Sequence, residues 1–540
     1  MISTATPARP GAPAPPWRRA ARWAARHPWV LTAVLCSVVL ALPMSGPDLA
    51  AQEFRTWLFR RHGALLWDNQ WYGGHLLPGY SLLFPPLASV IGTRLLGAVA
   101  CVWASAAADA LLGGARAERG HRLASLWFAI ALVGELIIGQ LPFAVGFALA
   151  LTALLAAQRF HPWVAAVTAL AASLASPLAG SFLLMAALAW VSQAGWRRVL
   201  PLGAAAGGVL VAALLGGGGS FPFPAISLLT VLLFAGGGLA LAPRMPKALR
   251  WGLLIYGMSS IALFAVPNPA GGNAARLGAL AGGPLAAVAL GRQGRWRTLA
   301  VAAVPLLAWQ MWPVGKAVAQ SVDDPSSRPE YYTGLDAFLR TQDPTEGRLE
   351  IPTLRQHWEA SYVAPVFPLA RGWERQIDIR YNGPLYDPAL TGEGLHRWAL
   401  DAGITLIALP DAPLDPWSVR EAALLSAGQP WLTPVWRDEH WQVWRITDGV
   451  GMINGPARLT WLGINSAALS FRQAGTVVVK VRWSTYWQVT AGTACVAPSP
   501  EGWLAVTKDR PGNVSLAALW SLSRMTGSGN DCAASDGPAR

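Results

Sequence analysis

About eleven stretches of this chain, spread between residues 28 and 315, are apolar over lengths close to the ~20 residues that a helix needs to cross a bilayer. They fall near 28–45, 94–112, 122–139, 141–158, 162–176, 178–193, 199–217, 223–242, 251–267, 274–290 and 298–315. That succession predicts a polytopic α-helical membrane protein. The composition agrees, with 53% hydrophobic and only 13% charged residues. The first run has the flanking charge of a signal peptide, but so many later spans favour an uncleaved anchor.

The formal charge of +13 invites a nucleic-acid reading, and its distribution argues against one. Residues 1–315 hold 22 Lys/Arg against 6 acids, whereas residues 316–540 hold 20 against 23. The basic excess therefore belongs to the membrane half, where the positive-inside rule accounts for it. With a Pro- and Ala-rich tail (1–27) read as disordered and cytoplasmic, alternate loops collect 17 of the 22 basic residues, Arg55, Arg60, Arg61, Arg94 and Arg276 being the exceptions. An odd number of spans places the termini on opposite sides of the plasma (inner) membrane. Ser176-Pro177 either separates two short spans or kinks one long one, and the second case would make the number even.

After Val314 the long apolar runs stop. Alternating stretches at 404–410, 440–447 and 476–483 predict strands, and 334–342 and 418–428 predict short helices. Residues 316–526 are thus expected to form an extracytoplasmic α+β domain, with 527–540 a flexible tail. Cys36 and Cys101 lie in apolar segments as packing residues. Cys495 and Cys532 lie in the exported half, where an oxidised pair is permitted. No spacing suggests a zinc site.

Three of the six acids of the first 315 residues, Asp48, Glu53 and Asp68, share the first outer loop, residues 46–92. Carboxylates beside a membrane are costly unless solvated, paired or used. Asp48, just outside the first span, suits a general base for a sugar hydroxyl, and equally the cap of a helix over 49–61. Glu53 is expected about one turn on, near the same face; Asp68, before a Gly-Gly turn, suits ligand contact or the turn itself. His75, Trp71 and Tyr72 of the same loop are candidate substrate contacts. Arg276, at the outer end of a late span, suits a lipid-linked phosphate through its rigid fork of donors, with Asn273 assisting and Arg94 a second candidate. Snorkelling or pairing with Glu135 is the plain alternative. Glu135 itself is a site carboxylate or a transporter's coupling group. In the C-terminal half, Arg371, Trp373, Glu374 and Arg375 belong to a polar-aromatic stretch suited to glycan rings or to docking onto the membrane half.

These features together are similar to the GT-C superfamily of membrane glycosyltransferases: an acid just outside the first span, then W-Y-G-G (71–74) and Y-x-x-L-F-P-P-L (80–87). More narrowly, S-P-L-A-G (176–180), G-G-N-A-A-R-L (271–277) and G-W-E-R-Q-I-D (372–378) resemble bacterial membrane proteins described as related to 6-pyruvoyl-tetrahydropterin synthase. The resemblance implies a GT-C-like membrane domain over 28–315. It also implies inverting transfer of a sugar from a polyprenyl-phosphate donor to a cell-envelope glycan or lipid acceptor outside the membrane. Asp48 then takes the base position, with Glu53 or Asp68 positioning the acceptor, and Arg276 a donor-phosphate position. GT-C enzymes often carry paired acids in the first loop; here Asp48 stands alone, which leaves a divalent metal open. Abundant Ala, Gly, Arg, Pro and Trp point to a high-GC bacterium such as an actinobacterium, and so to cell-wall assembly. Two rivals remain: a transporter or lipid-carrier flippase coupled through Glu135, and a non-catalytic scaffold binding glycan through tryptophans.

Overall fold

The computed structural model describes residues 23, 26–113, 118–216, 218–241, 244–322, 324–521, 523–524 and 532. Most of the expected tails, 1–27 and 527–540, lies outside these residues. Among the described residues, eight helices are long and apolar enough to cross a membrane: Thr93–Leu111, Arg119–Ile138, Leu141–Gln158, Pro177–Ala194, Trp196–Leu215, Lys247–Ala265, Gly271–Gly291 and Trp296–Val322. Three more apolar helices, Pro28–Ala41, Pro162–Ala175 and Ala225–Leu241, are shorter. The molecule is thus built as a multi-pass membrane protein with a sheet-containing C-terminal half.

Helix boundaries follow local chemistry. Pro177 lacks the N–H needed to continue the preceding helix, and Ser176 Oγ accepts from Ala179 N to start the next one. The chain therefore breaks into two helices there. Arg94, expected to bind phosphate, instead donates to the carbonyls of Val39 (2.8 Å) and Leu42 (3.0 Å). It satisfies the end of the first helix, which otherwise leaves carbonyls without partners in an apolar setting. The last helix, expected to stop at 315, runs 27 residues to Val322. At 1.5 Å per residue that is about 40 Å, longer than the hydrocarbon layer, so its C-terminal turns carry polar side chains out of it.

Among the described residues, the C-terminal half has three four-stranded sheets. In the first, β3 (Arg348–Glu350) runs parallel to β4 (Ile404–Pro410), followed by antiparallel β6 (Trp441–Ile446) and β5 (Leu432–Arg437). The helices Gly392–Asp401 and Val419–Ser426 belong to this part. The other two sheets are antiparallel. One orders β12 (Cys495–Pro498), β13 (Trp503–Lys508), β10 (Gly475–Arg482) and β7 (Ile453–Asn454). The other orders β11 (Trp487–Ala491), β14 (Gly512–Ala518), β9 (Ser466–Phe471) and β8 (Ala457–Leu462). Their inward Val477, Val479, Leu504, Val506, Leu469 and Leu516 form one shared core, as strand alternation requires. Cys495 is disulfide-bonded to Cys532.

The first loop, residues 46–92, is the seam between the halves. It folds into the helix Leu49–His62 and a ribbon of β1 (Trp67–Asp68) and β2 (His75–Leu76). Trp67 enters the core of the two antiparallel sheets, while Phe54 and Trp71 join a core shared with Trp358, Phe367 and Ile377. Backbone bonds fasten it further, from Leu369 N to Gln70 O (2.8 Å) and from Arg482 N to Gly73 O (2.7 Å).

Candidate functional site

Asp48 is fixed by two glycines. A Cβ on Gly139, which sits at φ +89°, would meet Leu49 N at 2.6 Å, and one on Gly46 would collide with the Ile138 carbonyl. Only glycine therefore lets the turn before Asp48 close onto the end of the helix Val133–Ile138, where Asp48 N donates to Ile138 O at 3.1 Å. Trp373 of the C-terminal half donates its ring N–H to Pro47 O at 2.9 Å, holding the same turn from the other side.

Asp48 occupies the residue before the helix Leu49–His62, yet its side chain makes no capping bond. The carboxylate turns instead to Arg276, with Oδ2 3.6 Å from Nη2. Burial raises the Asp48 pKa above the ordinary carboxylate value; the charge of Arg276, the Gln140 side chain and the charge of His357 all act against that.

The pair lies on a cavity of about 940 Å³ between the membrane helices and the C-terminal half. Its membrane-side wall is apolar, with Phe143, Phe182, Met185, Val209 and Leu263. Asn273 lies on the wall one turn before Arg276. The opposite wall is charged. Arg375 binds Asp415 at 2.5 Å, and His357 stands between Asp415 (3.6 Å) and Glu359 (3.5 Å). Burial works to deprotonate His357, but the two carboxylates prevail and hold its pKa up to about 9, so it is cationic at neutral pH. Its backbone is left-handed, at φ 56°, which side chains other than glycine seldom adopt and which marks a position held by its surroundings. Asp415 is held far below the ordinary range by His357 and Arg375, against its own burial. Lys316 and Arg355 also line the cavity, and among the described residues neither has an ion-pair partner. Glu374 reaches the cavity while pairing with Arg55 behind it, and Arg55 stacks 4.2 Å from the Tyr80 ring. Cations thus outnumber carboxylates on the walls.

Asp48, Arg276, Asn273, Trp373, Glu374 and Arg375 therefore share one space. The other expected residues do not line it. Glu53 turns away and accepts from Thr93 Oγ1 at 3.2 Å, because five helical residues rotate by about 140° rather than back to the same face. Asp68 is fully buried in the seam, accepting from Gln70 N, with His75 Nδ1 at 3.8 Å. Burial pushes Asp68 up to about 7 and His75 down to about 3, so His75 is neutral and the two are not an ion pair. His75 stacks on Trp71, whose N–H is taken by Ala360 O, and Tyr72 donates to Glu374 O. These aromatics are packing and docking residues. Arg371 is enclosed in the C-terminal half by Asp378 (2.6 Å), Ser418 (2.9 Å) and Glu421 (3.3 Å), with no donor left for a glycan. Glu135 is buried off the cavity and within electrostatic reach of Arg276, which pairs with Asp48 instead. Among the described residues no group of three or more His, Cys, Asp or Glu could hold a metal ion.

Four cavity groups escape the sequence reading: His357, Asp415, Arg355 and Lys316. Lys316 carried one signal, a lone cation just past the last apolar run. The others carried none, since only tertiary packing brings them to the membrane half.

Fold and site together define a multi-pass membrane protein with a mixed apolar and cationic cavity beneath its C-terminal domain. No family model matches the chain, and no curated protein matches it in sequence. Among solved structures it is similar to the archaeal oligosaccharyltransferase AglB from Archaeoglobus fulgidus, determined with an inhibitory peptide and a dolichol-phosphate. The TM-score is 0.43 and the identity 12%, over 72% of this chain and 70% of that one.

Proposed function

We propose that this protein is a membrane glycosyltransferase that moves a sugar from a polyprenyl-phosphate donor to a hydroxyl of a cell-envelope glycan or lipid acceptor. In this reading the C-terminal domain lies outside the plasma membrane. The observation that carries it is the Asp48–Arg276 pair on a cavity with one apolar and one cationic wall. Such a space suits an amphiphile with an anionic head. The apolar wall would take the start of the isoprenoid chain, and the phosphate would meet Arg276 and Asn273.

The chemistry balances on residues of the chain. The acceptor oxygen attacks the anomeric carbon and its proton passes to Asp48. The bond from that carbon to the phosphate oxygen breaks with inversion, and the polyprenyl phosphate leaves with the electron pair, its new charge stabilised by Arg276. Arg276 faces Asp48 at 3.6 Å. An arriving phosphate draws on the same guanidinium, weakening that pairing and leaving the carboxylate more basic when the acceptor needs it.

The test uses full-length protein in proteoliposomes with a panel of radiolabelled polyprenyl-phosphate sugars and envelope glycan acceptors. Acceptor-dependent release of polyprenyl phosphate is expected, with Asp48→Asn abolishing transfer while donor binding persists. Turnover surviving in D48N would remove Asp48 as the base, and failure of the wild type to bind any donor of this class would overturn the reading.

A further inference from the structure

The two antiparallel sheets of the C-terminal half reach the membrane helices at the turn before β11. There Tyr486, in the turn before β11, packs with Leu66 of the first loop and with Leu215, the last residue of the candidate span Trp196–Leu215. Leu215 is at the C-terminal-domain side of that span, because a Cβ on Gly219, just beyond it, would collide with the Gln376 carbonyl.

β14 ends at this place and passes into Leu519 and Trp520. Leu519 N donates to Tyr486 O at 3.1 Å, and the Trp520 ring lies edge-on to Tyr486 with centroids 6.0 Å apart. Both side chains are nevertheless exposed, Trp520 by 52% and Leu519 by 42%. An exposed tryptophan and leucine one ring away from the end of a membrane span are poorly placed in water. They are well placed at the level of lipid headgroups, where an indole buries its apolar body and keeps its N–H hydrated. The membrane helices use tryptophan in this way at their other ends, where exposed Trp163, Trp196 and Trp251 stand close in sequence to Arg159, Arg197 and Arg250.

We infer that Leu519 and Trp520 form an anchor by which the C-terminal domain rests in the interfacial layer of the lipid leaflet beneath it. The occupant of this apolar patch is the bilayer, continuous with the Tyr486–Leu215 contact. Such an anchor ties the domain to the membrane beside the first loop, where Asn69 N donates to Ile464 O (2.7 Å) next to the bond from Ala518 N to Asn465 O (2.9 Å). The inference rests on packing and exposure alone and holds whatever reaction the cavity performs.

The experiment places a nitroxide on full-length protein in phosphatidylcholine–phosphatidylglycerol vesicles. The free cysteines Cys36 and Cys101 are buried and Cys495 is bonded to Cys532, so an introduced thiol is the accessible one among the described residues. Trp520→Cys and Leu519→Cys are the reporters. Gln473→Cys, in the exposed turn after β9, is the control at the opposite end of the sheet, roughly 20 Å away by strand length. Labels at 519 or 520 should collide with oxygen several-fold more than with a water-soluble nickel chelate, and the label at 473 should show the reverse. Two reporters guard against one variant failing to fold. Nickel accessibility at 519 and 520 equal to that at 473 overturns the inference.

Discussion

Arg276→Gln separates the two tasks assigned to the Asp48–Arg276 pair. At 3.6 Å, and with an effective dielectric constant of about 20, the gross attraction between the charges is on the order of 4 to 5 kcal/mol. Desolvation and screening leave less, and an opposite charge at such a distance lowers an aspartate pKa. The Asp48 pKa is already raised by burial, with Arg276 the largest influence against it. Removing that charge raises it further. The sign follows directly: the carboxyl serves as a base only when ionised, so the acid limb of kcat/KM moves to higher pH. The same variant loses charge-assisted bonds to the donor phosphate, worth about 1.5 to 3 kcal/mol, or roughly 10- to 150-fold in rate at every pH.

Transfer rates in proteoliposomes between pH 5 and 9 resolve the two effects as a displaced limb and a lowered plateau. In D48N the limb should vanish. An R276Q limb that stays where it was would mean that Arg276 does not act on the base; one that moves to lower pH would refute the electrostatic argument outright.

Two further perturbations test the scaffold of the site. Gly139→Ala forces a side chain into a left-handed position and onto Leu49 N, costing about 1 to 2 kcal/mol in backbone conformation and displacing the Asp48 turn; transfer should fall at least tenfold while thermal unfolding in detergent shows a stable protein. His357 has its pKa raised to about 9 from an unfolded value of 6.5, so its ion pairs contribute fully below pH 6.5 and are lost as pH rises through 9. That contribution is on the order of 3 kcal/mol at most, so melting temperature should drop across this window in the wild type and drop less in His357→Asn.

Much of the fold was legible because its causes are local. Long apolar runs act through neighbours in sequence, and β4, β6 and β10 follow from alternation. The site was legible in part for the same reason. Asp48 and Arg276 stood out separately as charges at the ends of spans, and the structure brings them within 3.6 Å. Glu53 was misplaced by treating five residues as one helical turn. His357, Arg355 and Asp415 were silent, since nothing in their own segments says which face of the C-terminal domain meets the membrane.

The larger misreading concerns the first loop as a whole. A carboxylate or arginine near lipid must be solvated, paired or used, and the loop's density of such groups argued for use. The structure meets the requirement differently. Arg55 pairs with Glu374, burial raises the Asp68 pKa to about 7 and keeps His75 neutral, and Trp71 and Tyr72 give their donors to the C-terminal half. These groups position the site without entering it: Glu374 is fixed by Arg55, and the neighbouring Trp373 and Arg375 reach the Asp48 turn and Asp415. Glu53 is taken up by Thr93, which leaves Asp48. It is the one that faces the cavity, and the cation that meets it comes from a membrane helix.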